Sequence, residues 1–77
     1  MDQGLNFLKD IGRYISFDGP FEVPFEAENT PLYIDGAEEA KREGYIKSID
    51  YRKVNDCILI IELNPSAYLA LKNDLGF

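Results

Sequence analysis

Histidine is absent from this chain of 77 residues, and cysteine occurs once, at Cys57. Without histidine the commonest general base is missing. Neither a Ser–His nor a Cys–His nucleophile pair can form. One thiol cannot close an intramolecular disulfide, nor can it by itself build a structural zinc site. The six glycines (Gly4, Gly12, Gly19, Gly36, Gly44, Gly76) are scattered singly, so no glycine-rich phosphate loop or cofactor motif is legible. Asp18-Gly19 and Asp35-Gly36 are lone fragments of a calcium loop and read as turns or caps. Two carboxylates, such as Glu38 with Glu43 or Glu26 with Glu28, would need a cleft that a domain this size can hardly build. No catalytic, metal or cofactor-binding residue is therefore assigned, and the expectation is a protein that is not an enzyme. The longest apolar run is about five residues, against roughly twenty for a membrane span. Met1-Asp2-Gln3-Gly4 opens no signal peptide, so a cytoplasmic location is expected.

What remains is a single domain, residues 1–77, whose core must come from apolar side chains: 45% of the chain, with five Phe and five Tyr. Cys57 begins the run Cys57-Ile58-Leu59-Ile60-Ile61 and beside Asp56 reads as a small buried hydrophobe. The net charge is −6. It is unevenly spread: Asp2, Asp10, Asp18, Glu22, Glu26 and Glu28 face only Lys9 and Arg13 in residues 1–30. Most of the basic charge falls in 41–53. An acidic field repels phosphate backbones and favours basic partners.

Leu5, Leu8, Ile11 and Ile15 recur at helical spacing and predict a helix over about 3–16, capped by Asp2, with Gly12 marking a close backbone approach. Asp18-Gly19-Pro20 turns the chain. Phe21, Val23 and Phe25 alternate with Glu22, Pro24 and Glu26, the period of a half-buried strand that Pro24 restricts to an edge. Residues 31–44 allow two readings. Thr30 caps a helix with Pro31 in its first turn, or Leu32-Tyr33-Ile34 is a short strand and Asp35 caps a shorter helix with Glu38 as capping partner. Gly36 favours the shorter helix. Both readings end at Gly44 in a left-handed cap. Tyr45, Lys47, Ile49, Tyr51 and Lys53 alternate on one face, Val54-Asn55-Asp56 turns, and Ile58 to Leu63 returns as a strand that is buried on both faces or lies centrally, together a β-hairpin. Asn64 caps a last helix with Pro65 in its first turn, Leu63 and Tyr68 as staple, and Tyr68, Leu69, Leu71 and Leu75 as apolar face. The fold class is α+β, with helices packed on a short antiparallel sheet.

The segments Ala40-Lys41-Arg42-Glu43-Gly44-Tyr45-Ile46 and Glu62-Leu63-Asn64-Pro65-Ser66-Ala67-Tyr68-Leu69-Ala70-Leu71, with the hairpin between them, resemble the second half of a small winged-helix domain. Small bacterial and phage proteins of the YjcQ-like kind are similar over residues 36–73. Asp18 to Thr30 departs from that pattern, leaving no obvious room for the middle helix of a helix–turn–helix. The resemblance implies a degenerate winged helix and a phage or mobile-element setting.

Two binding surfaces follow. Glu22, Phe25, Glu26 and Glu28, on an edge strand with exposed Phe, form a candidate site for a partner protein with a basic, nucleic-acid-handling surface. Lys41, Arg42, Lys47, Arg52 and Lys53, interleaved with Tyr45 and Tyr51, form the alternative: phosphate contacts of a winged-helix DNA-binding regulator, as a homodimer. Against it, Glu38, Glu39 and Glu43 share the helix with Lys41 and Arg42, with Glu38–Arg42 an attractive pair.

Overall fold

The computed structural model describes residues 3–53 and 55–75. The expected Asp2 cap, Val54 and the Gly76–Phe77 end lie outside the described residues. The chain runs α1 (Gln3–Asp10), β1 (Phe21–Phe25), α2 (Thr30–Arg42), β2 (Ile46–Lys53), β3 (Cys57–Leu63) and α3 (Tyr68–Leu75), with 3₁₀ turns at Gly12–Tyr14, Ala27–Asn29 and Pro65–Ala67. The strands form one antiparallel sheet in the order β1-β3-β2. The expected α+β class is thus the class observed. β3 is central, and β1, with Pro24, is an edge.

The first helix is shorter than its apolar period suggests. It ends at Asp10, and Ile11 leaves helical geometry with φ −98° and ψ 16°. Gly12, a weak helix former, then opens the 3₁₀ turn. The close approach between helices occurs not there but at Gly4 and Gly36. A Cβ on Gly4 would lie 2.5 Å from Ala40 Cα, and one on Gly36 would lie 2.5 Å from Phe7 Cδ1. As α1 advances from Gly4 to Phe7, its contacts on α2 retreat from Ala40 to Gly36, so the two helices are antiparallel.

The same contact resolves residues 31–44 as the longer helix. Leu32-Tyr33-Ile34 is helical rather than a strand, and Asp35 is an interior residue rather than a cap. Gly36 is not a boundary; it makes room for the Phe7 ring. Asn29 occupies the N-cap position, and the Thr30 hydroxyl donates to Ala27 O at 2.6 Å. The helix ends as expected. Gly44 has φ +92°, its N–H donates to Lys41 O, and the Tyr45 N–H donates to Ala40 O at 3.0 Å. These two bonds are those of a Schellman motif.

A bulge between Ile46 and Ser48 shifts the register of β2. The expected single face of Tyr45, Lys47, Ile49, Tyr51 and Lys53 is broken by it: Ile46, Ile49 and Tyr51 oppose the inward residues Leu63, Ile61 and Leu59 of β3. Asn64 caps as predicted, its Oδ1 accepting from Ser66 N–H at 3.2 Å, though the first turn is 3₁₀ and α3 starts at Tyr68. Only Leu71 of α3 is fully buried; Leu69 is 72% exposed, off the apolar face assigned to it. Tyr68 meets Phe17 edge-on at 4.7 Å.

The core joins Phe7, Leu8 and Ile11, Ala37 and Ala40 of α2, the inward face of the sheet, and Leu71. An aromatic chain crosses it from Phe7 to Tyr33 (5.9 Å, edge-on), to Phe25 (4.8 Å, stacked), to Tyr51 (6.0 Å). Such pairs add about 0.5–1.5 kcal/mol each beyond their burial. Cys57 is buried, as expected.

Candidate functional site

Because α1 and α2 meet through glycine, their flanks form a cleft of about 650 Å³. Phe7, Ile11 and Tyr33 supply its apolar floor. Leu32 stands over it, 69% exposed. In α2, Leu32, Asp35 and Glu39 are spaced i, i+3, i+7 and share one side of the helix. Asp10 faces them from the end of α1, and Glu38 stands on the crest. Four carboxylates therefore ring one large apolar side chain. Among the described residues their only cationic neighbour in the cleft is Arg42, which forms an ion pair with Glu39 at 2.5 Å. The partner of Arg42 is thus Glu39 at i,i+3 rather than the expected Glu38.

The residues predicted to bind protein lie elsewhere. Glu22, Glu26 and Glu28 are exposed. The register sets Glu22 opposite Ile60, on the outer side of the sheet, while Glu26 and Glu28 follow β1 in the connection to α2. Phe25 is not an exposed anchor. It faces inward, half-buried between Tyr33 and Tyr51, and Phe21 is buried. The edge itself is five residues long and contains Pro24, two features that discourage strand addition.

The five basic residues are dispersed. Lys41 and Arg42 border a second cleft, between α2 and β2, with Ile34, Ile49 and Tyr51. Lys47 lies at the bulge, and Lys53 at the other end of β2, roughly 20 Å away along the strand. Arg52 opposes Ile58 on the outer side of the sheet, where its Nε contacts Asp50 Oδ2 at 3.3 Å. Beside this cleft the Tyr51 hydroxyl donates to Cys57 Sγ at 3.6 Å. That bond, then desolvation, raises the Tyr51 pKa above its usual 10.0, against a lowering contribution from Thr30.

Sequence reasoning passed over Leu32, Asp10, Asp35 and Glu39 as a set. The legible signal was Leu32 itself: in the longer helix it is an apolar residue among the polar positions. No helix among the described residues is long and apolar enough to cross a membrane. Compared with models of protein families, with curated proteins and with solved structures, the chain matches none.

Proposed function

We propose that the chain is a non-enzymatic protein-interaction module of the cytoplasm, whose acidic surface engages a partner protein with a basic surface. One observation carries the reading: the α1/α2 cleft sets an exposed leucine among Asp10, Asp35, Glu38 and Glu39. The carboxylates speed encounter with a basic partner and repel acidic ones. The leucine offers an apolar anchor that a partner can desolvate, where binding energy concentrates. The phage or mobile-element setting, with a nucleic-acid-handling partner, rests on the winged-helix resemblance.

The test is affinity capture from the native host, with nuclease treatment to remove nucleic-acid bridges. Neutralising the cleft (Asp10→Asn, Asp35→Asn, Glu38→Gln, Glu39→Gln) is expected to weaken binding of the captured partner by about tenfold or more, a loss of about 1.4 kcal/mol. Replacing Glu22, Glu26 and Glu28 by Gln is expected to leave it nearly unchanged. The reverse pattern would move the site to β1, and insensitivity to both sets would end the acidic-surface reading.

A winged-helix DNA-binding regulator is the second reading. The observation favouring it is that α2 ends directly in a hairpin packed beside it, with Lys41 in the shared cleft and Lys47 and Lys53 exposed along β2. Weighing against it, a single 3₁₀ turn at Ala27–Asn29 stands where a helix–turn–helix has its middle helix, and Arg42 and Arg52 already hold carboxylates. Duplex binding at low salt that falls steeply with added salt, and weakens in Arg52→Ala with Lys53→Ala, would establish it.

A further inference from the structure

We infer that the α1/α2 cleft receives a basic amphipathic helix of the partner protein, an inference that rests on the acidic-surface reading above. The secondary structure of the occupant follows from the walls. Both are helices whose interior N–H and C=O groups are bonded within their own segment. An extended peptide laid there would bury backbone polar groups with nothing to pair them. A helix arrives with its backbone bonds already made and packs by fitting side-chain ridges into the seam.

The length and spacing agree. α1 is about 12 Å long and α2 about 20 Å, enough to seat two to three turns of a third helix. Leu32, Asp35 and Glu39 recur about one turn apart along α2. A partner helix would present one large apolar residue to Leu32, above Ile11 and Tyr33. Its Lys or Arg residues would follow one and two turns along, facing Asp35 and Glu39, with Asp10 across the seam. Anchors at i, i+3 or i+4, and i+7 are the pattern of helix-in-groove recognition. The charge of the cleft selects a basic helix over an acidic one: its four carboxylates outnumber Arg42, which Glu39 already holds.

The experiment is a titration of the isotopically labelled protein with two synthetic peptides of about 18 residues, or five helical turns. Both contain only Leu and Lys in the same proportion. In the first the leucines form one face at i, i+3 and i+4 spacing; in the second they are spread evenly round the helix. The first is expected to bind about tenfold more tightly or better. Amide shifts should centre on Asn6, Asp10, Leu32, Asp35 and Gly36. Leu32→Ser, at a site 69% exposed, should weaken binding by about tenfold without altering the thermal unfolding curve. Equal binding of the two peptides overturns the helix inference. So do shifts centred on Glu22 to Glu28, and both outcomes leave the acidic-surface reading standing. Failure of both peptides to bind at low salt overturns both.

Discussion

The two sides of α2 carry opposite chemistry on one backbone. Toward α1, Asp35 and Glu39 accompany Leu32, and the helices touch closely because Gly4 and Gly36 have no side chains in the way. Toward β2, Lys41 lies beside Ile34, Ile49 and Tyr51, which are held by the sheet and its aromatic chain. On the α1 side an apolar group is displayed, and the four carboxylates round it are met by Arg42, which Glu39 holds. On the β2 side Leu59 is buried, Ile34 and Ile49 are half-buried and Tyr51 is 38% exposed, and the bordering cation Arg42 contacts a carboxylate. Charge alone does not distinguish a binding surface from a solvated one; exposed ion pairs contribute about 0–1 kcal/mol. What separates the two sides is how far an apolar side chain stands in the open: Leu32 is 69% exposed, Tyr51 38%.

The largest test of this contrast is on the β2 side. Leu59 lines that cleft and is fully buried in the central strand. Leu59→Ala should cost about 2–5 kcal/mol in denaturant unfolding. A loss below about 1 kcal/mol would mean that packing does not hold this side together. On the α1 side, Gly36→Ala opposes two effects. Alanine favours the helix by about 1 kcal/mol, but its Cβ would sit 2.5 Å from Phe7 Cδ1. The second effect should win, with a net loss of about 1–2 kcal/mol within the usual range for overpacking. A stabilised variant would show that the helices do not approach as closely as described.

The smallest effect is a titration. Because the folded state holds the Tyr51 proton more tightly than the usual 10.0 implies, its contribution to stability is complete below about pH 10 and is lost as pH rises through the folded midpoint. The tyrosinate difference spectrum between the parent chain and Tyr51→Phe should place that midpoint above 10. A midpoint at or below 10 would remove the Cys57 bond from the account.

Elements with local causes were legible in advance. The Gly44 cap, the Asn64 cap and the central place of the apolar strand β3 each follow from a few neighbouring residues. The length of α2 was not legible, because the reason Gly36 is tolerated in mid-helix is a ring from Phe7, distant in the chain. The bulge in β2 was also hidden; strict alternation reads every position as paired. Leu69 and Phe25 exchanged their expected roles for a related reason. Periodicity says which residues share a side, but not what stands opposite. Leu69 meets solvent, whereas Phe25 meets Tyr33.

The sequence by itself determined that this is a small α+β domain with an acidic balance, no histidine and one buried cysteine. Those properties are sums over residues or consequences of adjacent ones. Only the tertiary structure decided which acids stand together. Asp10 and Asp35 are twenty-five positions apart, and they share a cleft because glycine at positions 4 and 36 lets two helices close on each other. The proposed acidic surface therefore lies at the helix seam rather than at the β1 edge: side chains become neighbours through packing, and packing is set by the contacts each helix permits.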